Sequence, residues 1–321
     1  MIPPRIFVLG SFVAACTVKV DRIPRAGETL RAHSFKLEAG GKGFNCAAAI
    51  RRLGAEVDGL LAVGDDHFAT LADTALAAEG LSSQLLLRIA GQTGAGVGFI
   101  NSAGENWIAV HPGANALLSA NHVEAATSRL LTTQAIIAQF EIGDEAIAAG
   151  FALARRNGTT TFLNPSPFRP IHPRVAALTD ILVVNETEAA HLTGHEPTGC
   201  RDGLASLLAW GDRLAPVFRA GTSAVVVTGG AAGAVAFRPE LPPLAQPAFA
   251  VRTIDTIGAG DAFMGGLALS LVSGLNWAES LRCAAACGAH AVTGFGVLAS
   301  LPDAKARDAL LTRGEMMVSQ R

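Results

Sequence analysis

The sequence predicts an α/β protein with a mainly parallel central sheet and helices on both of its faces. Short apolar runs such as residues 6–10 alternate with helical patterns over most of the 321 residues. Such runs are typical of strands buried on both faces, and strand–helix alternation is typical of a parallel sheet. Two stretches, about 14–38 and 95–111, have strand patterns only. We expect them to pair into a small β-sheet lid over the carboxyl ends of the main strands, where α/β proteins bind ligands.

The composition is typical of one large folded domain, 1–321, in which the lid is the only appendage. Hydrophobic residues make up 50% of the chain and charged residues 16%, which is enough apolar material for a sizeable core. The net charge is −2 and lysines and arginines do not cluster, which argues against nucleic acid as a partner. No apolar run reaches the length of about 18 residues that a membrane span needs. The start of the chain predicts a first strand rather than a signal peptide.

Five scattered cysteines predict a reduced, cytoplasmic protein. They are Cys16, Cys46, Cys200, Cys283 and Cys287, an odd number without a CxxC pair. Cys283 and Cys287 lie one helical turn apart and could be two metal ligands. Because no second pair accompanies them, buried structural thiols are the favoured interpretation. Unpaired thiols are typical of a reducing compartment.

The strongest motif is a glycine-rich loop that leads into a helix at residues 255–261 (DTIGAGD). The free N–H groups of a helix N-terminus bind anions, and glycines let the backbone approach one closely. A carboxylate at Asp261 could accept the proton of an attacking hydroxyl while the amides hold a transferring phosphoryl group. An N-cap aspartate on an ordinary helix is the alternative. Known nucleotide fingerprints fail, since Lys42 is followed by Gly43 and no third glycine completes a dinucleotide loop after Gly258.

Three further segments carry polar groups where strands meet helices. Residues 40–45 (GGKGFN) could contact the hydroxyls of a ligand or form a tight turn. Asn185 and Glu188 suit the water shell of Mg²⁺, although a capping box would give the same pattern and is favoured. Residues 228–233 could form a nucleotide-binding turn, with a simple hairpin as the default.

In this order, the segments resemble the ribokinase family of carbohydrate and nucleoside kinases over nearly the whole chain. Residues 40–45 resemble the first signature of the family and residues 255–261 the second, more specific one. Further stretches resemble ribokinases more than distant relatives: 104–106, 111–115, 163–167 and 185–189. The resemblance implies a ribokinase-like three-layer α/β/α fold and the ATP-dependent phosphorylation of a hydroxyl on a small sugar.

The resemblance also implies a role for each matching residue. Asp261 is expected to be the catalytic base, beside an anion hole. The residues expected in the anion hole are Gly258, Ala259 and Gly260. Those expected on the acceptor are Gly41, Lys42, Gly43, Asn45, Glu141 and Asp261. Those expected along ATP are Asn185, Thr228, Gly230, Gly233 and Gly260.

Two cations and a homodimer belong to the same set of expectations. Asn185 and Glu188 are expected to hold Mg²⁺ through water. A monovalent cation, K⁺, is expected beside the anion hole, bound partly by backbone carbonyls, and a dimer is expected to form through the lid. The residues expected around the monovalent cation are Asp255, Ile257, Ala291, Gly294, Gly296 and Ser300.

One departure from the family pattern concerns the acceptor. Val13 and Ala15 stand where ribokinases carry Asn and Asp, and neither side chain can accept a hydrogen bond from a hydroxyl. Losing both partners predicts poor use of ribose and a preference for a deoxysugar, a modified sugar or a nucleoside. Ala285 stands where the family often has a histidine beside adenine, which predicts that packing alone holds the base.

Three functions therefore stay open: a sugar kinase, a nucleoside kinase of the same family, and a ligand-binding protein that kept the fold without catalysis. The intact Asp261 and its glycine-rich loop argue against the last, because binding alone does not require an aspartate there. An NAD enzyme is disfavoured by the missing third glycine.

Overall fold

Two β-sheets form the frame of the protein, for which a computed structural model describes residues 3–101, 106–195 and 203–319. The strands are β1 (Arg5–Ser11), β2 (Val13–Lys19), β3 (Ser34–Gly40), β4 (Glu56–Val63), β5 (Leu86–Arg88), β6 (Gly94–Ile100), β7 (Asn106–His111), β8 (Ala135–Gln139), β9 (Thr160–Asn164), β10 (Ile181–Asn185), β11 (Ala224–Thr228), β12 (Ala234–Arg238) and β13 (Leu241–Gln246). The helices are α1 (Lys42–Arg52), α2 (His67–Ala78), α3 (Ala120–Ala125), α4 (Thr127–Leu130), α5 (Asp144–Asn157), α6 (Pro173–Ala176), α7 (Glu186–Thr193), α8 (Leu204–Leu208), α9 (Ala215–Arg219), α10 (Ala259–Val272), α11 (Trp277–Ala291), α12 (Val297–Ser300) and α13 (Ala304–Ser319).

The main sheet has the strand order β13-β12-β11-β10-β9-β8-β1-β4-β5. All pairs from β11 to β5 are parallel, and β12 and β13 add an antiparallel edge. Side chains of β1 alternate between two cores, because successive residues of a strand face opposite sides. Val8 packs in one core with Ala262 of α10, and Leu9 packs in the other with Phe151 of α5. The predicted fold class is therefore confirmed.

The small sheet has the order β3-β2-β6-β7 and joins the two strand-only stretches of the sequence. The parallel pair of β2 and β6, with Cys16 opposite Val97, connects one stretch to the other. The sequence also predicts a turn at 102–105; these residues, and with them part of the resembling segment 104–106, lie outside the described residues.

The structure differs from the sequence prediction in several elements, two of which have a local physical cause. The sequence pattern predicts one helix over about 120–131, but the structure divides it into α3 and α4, because Ala126 leaves the helical region with φ −94° and ψ 6°. The Thr127 hydroxyl donates to the Glu124 carbonyl, a local bond that competes with a continuous helix. Strand β13 was not predicted because it contains two prolines, which a sheet tolerates at its edge.

The cysteines of the described residues are free thiols. Cys46, Cys283 and Cys287 are buried and Cys16 is partly buried, whereas Cys200 lies outside the described residues. In the part of the chain that the structure describes, no three His, Cys, Asp or Glu side chains come together as a metal site. Within those same ranges, no helix combines the length and apolar character that a membrane crossing requires.

Candidate active site

Four neighbouring strands of the main sheet end in polar residues whose side chains project from the same face. Gln139, Asn164, Asn185 and Thr228 are the last residues of β8, β9, β10 and β11. The residue two positions before each of them packs in the core that contains α1 and α10. Because residues two apart on a strand project from the same face, all four side chains point toward that layer of helices. Asn164, Asn185 and Thr228 line a cleft there, together with Lys42 and Asp261.

Helix α10 begins at this cleft with an open N-terminus. Its N-cap is Gly258, which has φ 82° and provides no side-chain hydrogen bond. A Cβ at Gly258 would lie 2.5 Å from Cγ1 of Val297, so this position requires glycine. A Cβ at Gly260 would meet nothing within 4 Å, because this residue borders the cleft. Backbone amides of such a helix start are suited to an anion.

Asp261 lies in the first turn of α10, only 6% exposed, and borders the cleft. Its Oδ2 accepts a hydrogen bond of 2.9 Å from Nδ2 of Asn45. Burial raises the pKa of Asp261; the charge of Lys42 and the bond from Asn45 oppose this, while Glu141 and Glu188 add to it, and the net direction is upward. Such a carboxyl is better suited to receive a proton than an exposed aspartate is.

Lys42 stays charged although it is buried. Burial lowers the pKa of its ammonium, but the carboxylates of Asp261, Glu141 and Glu188 more than offset this and leave the pKa raised. The lysine therefore adds a fixed positive charge to the cleft beside Asp261.

Glu141 closes the N-terminus of α1. Its Oε2 accepts the backbone N–H of Lys42 at 2.8 Å and the hydroxyl of Ser11. Gly43 packs against β1, since a Cβ there would lie 2.4 Å from the Ser11 nitrogen. The structure thus places Gly43 in the contact of α1 with β1. The role of Ser11 was missed, because nothing in its local sequence points to a carboxylate 130 residues away.

Asn45 holds an unused acceptor beside Asp261. Its Oδ1 is buried and has no hydrogen-bond partner, while its Nδ2 donates to Asp261. A buried carbonyl oxygen without a partner is costly. A ligand hydroxyl that donates to this oxygen would remove that cost.

Asn185 and Glu188 form the capping box that the sequence favoured. Asn185 Oδ1 accepts from the Glu188 nitrogen at 2.8 Å, and Glu188 Oε2 accepts from the Asn185 nitrogen at 2.9 Å. Nδ2 of Asn164 donates to the same carboxylate oxygen at 3.4 Å. Both capping residues also line the cleft, so their oxygens lie close to its polar end.

A second cavity of about 420 Å³ continues from the first and is mainly apolar. The two share Thr228, Thr256, Gly260 and Phe263. Residues 228–233 connect the antiparallel strands β11 and β12, so the predicted hairpin is present, and its backbone lines the cavity. Residues along the cavity include Gly230, Gly233, Ala259, Ala285 and Val292. The combined cleft has a polar end at Asp261 and an apolar end at Ala285.

Two loops meet beside the start of α10. Asp255 accepts the N–H of Ile257 at 3.0 Å and that of Gly296 at 3.4 Å. Ser300 Oγ is buried without a hydrogen-bond partner, and a Cβ at Gly294 would lie 2.3 Å from it. Ala291 ends α11, one residue before Val292, whose carbonyl accepts the N–H of Ile254. The structure thus brings the six residues expected around a monovalent cation into two adjoining segments.

The open start of α10, the buried Asp261 and the adjoining apolar cavity are features that a small-molecule kinase requires. A sequence model of the pfkB family of carbohydrate kinases matches residues 3–304. The chain therefore belongs to the pfkB family of carbohydrate kinases.

Known relatives narrow this class further. The chain is similar to a ribokinase of Mus musculus, at 32% identity over 92% of this chain and 91% of the relative. It is also similar to a deoxyribokinase of Salmonella typhi, at 32% identity over 92% of this chain and 95% of the relative. The solved structure of Arabidopsis thaliana ribokinase with ribose and ATP aligns at a TM-score of 0.86 and 29% identity, over 97% of this chain and 99% of that one. The protein is an ATP-dependent carbohydrate kinase of the ribokinase type, which confirms the predicted resemblance.

Proposed function

We propose that Asp261 is the general base that activates a sugar hydroxyl for attack on the γ-phosphate of ATP. The hydroxyl oxygen bonds to the γ-phosphorus, its proton passes to Asp261, and the bond from that phosphorus to the β–γ bridging oxygen breaks, releasing ADP. The observation that carries the proposal is the buried Asp261 carboxylate in the first turn of the open helix α10. Amides at Gly258, Ala259 and Gly260 are then suited to hold the charge of the transferring group.

The nucleotide is proposed to lie along the combined cleft. Its base fits the apolar end at Ala285, where packing rather than a polar side chain would hold it. Thr228 lines both cavities, and Gly230 and Gly233 line the second, so these residues would follow the sugar and phosphates. The phosphates would end between α10 and Lys42, whose positive charge favours them.

Mg²⁺ would neutralise phosphate charge near Asn185 and Glu188. One oxygen of each side chain already accepts a capping hydrogen bond, so contact through water suits this pair better than direct ligation. Oxygen donors of this kind fit a hard cation.

A K⁺ ion is proposed beside the start of α10. The unpartnered, buried Ser300 Oγ next to Gly294 supports this proposal, since a cation would satisfy that oxygen. The ion would order the loops that Asp255 joins. Rates in K⁺ should exceed those in tetramethylammonium, and Ser300→Ala should reduce the difference; equal rates in both salts would remove the ion from the proposal.

The proposed acceptor is a sugar with fewer hydroxyls than ribose on the side that faces β2. Val13 lies against the start of α1, because a Cβ at Gly41 would be 2.9 Å from the Val13 nitrogen. A Cβ at Gly40 would be 3.7 Å from the Cβ of Ala15, so both residues lie beside the two glycines that precede α1. Their apolar side chains would then border the acceptor. A deoxysugar or modified sugar fits this surface, and the same apolar side chains favour a nucleoside as the second candidate.

A homodimer through the small sheet is proposed from its apolar outer face. Phe35, Leu37, Val97 and Trp107 project from one face of this sheet and are all exposed. Phe35 is 66% exposed, which is costly in water for a side chain of this size. Sedimentation of the wild type and of Leu37→Glu tests the dimer; a monomeric wild type would rule it out.

The test of the function is an ADP-release assay with ATP and Mg²⁺ over pentoses, deoxysugars, hexoses and nucleosides. We expect turnover of at least one acceptor and poor turnover of ribose. Efficient phosphorylation of ribose would show that Val13 and Ala15 do not decide selectivity. Absence of turnover over the whole panel would overturn the proposed acceptor class.

A further inference from the structure

Glu38 is the side chain that the small sheet places directly opposite Ala15. β2 and β3 are antiparallel, and their register pairs Ala15 with Glu38 and Val13 with Gly40. Side chains of directly paired residues project from the same face, with Cβ atoms about 5 Å apart. Glu38 therefore shares its face with Val13 and Ala15, one strand away from them.

The two faces of β3 differ in character. Phe35 and Leu37 project from the outer face, whereas Lys36 and Glu38 project from the face of Ala15, because successive residues alternate. The Glu38 side chain is 33% exposed, so solvent or a ligand can reach its carboxylate. A carboxylate thus borders the region in which Val13 and Ala15 provide no acceptor.

Contacts of Glu38 place it where the small sheet meets the loops beside α10. A Cβ at Gly296 would lie 3.4 Å from Glu38 Oε1 and 3.9 Å from Oε2. The N–H of Gly296 donates to Asp255, and the next residue, Val297, lies against Gly258 at the start of α10. The carboxylate is therefore close to both the sheet that covers the acceptor region and the loop at the anion site.

Lys36 orients this carboxylate. Its Nζ lies 2.6 Å from Glu38 Oε1 and 5.7 Å from the centre of the Phe295 ring. A carboxylate offers about four acceptor positions on its two oxygens, so one ion pair leaves several of them available. The lysine also balances the negative charge that Glu38 would otherwise add near bound phosphates.

We propose that Glu38 accepts a hydrogen bond from a hydroxyl of the acceptor and is a specificity-determining residue. This inference rests on the proposed function. It defines the acceptor as a sugar with a hydroxyl directed toward β3 and an apolar or unsubstituted side directed toward β2. The hydrogen bond to the acceptor that Val13 and Ala15 on β2 cannot make would thus be made by Glu38 on β3.

The test pairs a deletion in the protein with a deletion in the acceptor. The best acceptor of the panel and its single-deoxy analogues are compared in wild type, Glu38→Ala and Glu38→Gln, with kcat and KM measured separately for acceptor and ATP. In wild type, loss of the recognised hydroxyl should lower kcat/KM by about 10- to 100-fold, as for a hydrogen bond to a charged group. In Glu38→Ala that discrimination should be lost while the KM for ATP is unchanged, and Glu38→Gln should keep part of it.

Two control variants separate recognition from a structural role. Lys36→Met removes both the ion pair with Glu38 and the contact with Phe295 but keeps the carboxylate, so discrimination among the analogues should be weakened at most, whereas it should be lost in Glu38→Ala. Glu28→Gln changes a lid carboxylate of similar exposure, 29%, that pairs with Arg22, and should behave as wild type. A cooperative thermal unfolding transition is expected for every variant and serves as the control for folding.

Each contrary outcome has a distinct meaning. Equal loss on every acceptor in Glu38→Ala, matched by Lys36→Met, would show that the pair only fastens the sheet to the loop and would overturn the inference. Unchanged discrimination in Glu38→Ala would overturn it as well, while turnover by wild type would leave the proposed function intact. Failure of wild type on the whole panel would overturn both.

Discussion

Helices α1 and α10 both begin beside the cleft, but a carboxylate of the protein binds the N-terminus of α1, whereas the N-terminus of α10 is open. Both start after a glycine in the left-handed region, Gly41 with φ 95° and Gly258 with φ 82°, and neither glycine offers a side-chain cap. At α1, Glu141 accepts the N–H of Lys42 at 2.8 Å. At α10, the space before Gly260 is open.

This difference separates the two halves of the site. The start of a helix carries partial positive charge and free N–H groups, which a carboxylate or a phosphate can satisfy. At the start of α1, the Glu141 carboxylate is the anion, and its hydrogen bond with the N–H of Lys42 fixes the position of that residue. The α10 start leaves its amides to a ligand, which fits the place proposed for the transferring phosphoryl group.

The largest effect is expected from Asp261→Asn at the open helix. The amide cannot accept the proton of the acceptor, so kcat should fall by about 10²- to 10⁴-fold. ADP release at saturating substrates measures kcat, and calorimetry should show that ATP still binds. Asp73→Asn, which changes an exposed carboxylate paired with Arg88, is the control and should retain full activity. A near-normal kcat in Asp261→Asn would exclude it as the base.

Alanine substitutions at Gly258 and Gly260 distinguish a glycine that the backbone conformation requires from one that leaves room for a ligand. Gly260→Ala should place a methyl group in the anion site and lower kcat/KM by roughly 10²-fold, a loss comparable with that of one oxyanion donor. The free energy of unfolding should not fall, because alanine has less conformational freedom in the unfolded chain and its Cβ meets no neighbour here. Gly258→Ala should instead destabilise the fold, since it meets Val297. Wild-type kinetics in Gly260→Ala would contradict an anion site at this helix.

Substitution of Glu141 tests whether its carboxylate stabilises the start of α1. Glu141→Ala leaves the Lys42 N–H and the Ser11 hydroxyl without their acceptor, so the free energy of unfolding should fall by about 1–3 kcal/mol. Glu141→Gln keeps an acceptor oxygen and should lose less. Chemical denaturation measures both. If Glu141→Ala has wild-type stability, the carboxylate does not hold the start of α1.

The smallest effect expected is a shift in the acid limb of the pH profile. A base must be deprotonated, so kcat/KM is full above the pKa of Asp261 in the free enzyme and falls as the pH drops through it. Burial raises that pKa above 3.8, so the midpoint of the limb should lie above this value. Lys42 remains protonated over this range because its own pKa is raised. A midpoint at or below 3.8 would contradict the buried environment of Asp261.

The sequence predicted those features whose signals are local. Strand–helix alternation predicted the main sheet, and the glycines around Asp261 predicted the loop and the helix that follows. The capping box at Asn185 was predicted for the same reason, since its two residues lie three apart. The division of α3 from α4 was missed; there, Ala126 leaves the helical region and the Thr127 hydroxyl donates to the Glu124 carbonyl.

Contacts between distant segments were beyond the sequence. The bond between Ser11 and Glu141 joins residues 130 positions apart, and Glu38 faces Ala15 only in the observed strand register. A slip of one residue would have turned Glu38 to the outer face with Phe35 and Leu37. Neither contact has a signature in the local pattern.

By itself, the sequence determined the fold class, the glycine-rich start of α10 and the apolar character of Val13 and Ala15, because periodicity and backbone freedom act over a few neighbouring residues. Tertiary structure alone decided which helix start is closed by Glu141, how deeply Asp261 is buried, and which side chain stands beside Ala15. Burial and strand register depend on segments that meet only after folding, and the electrostatics of the site depend on both.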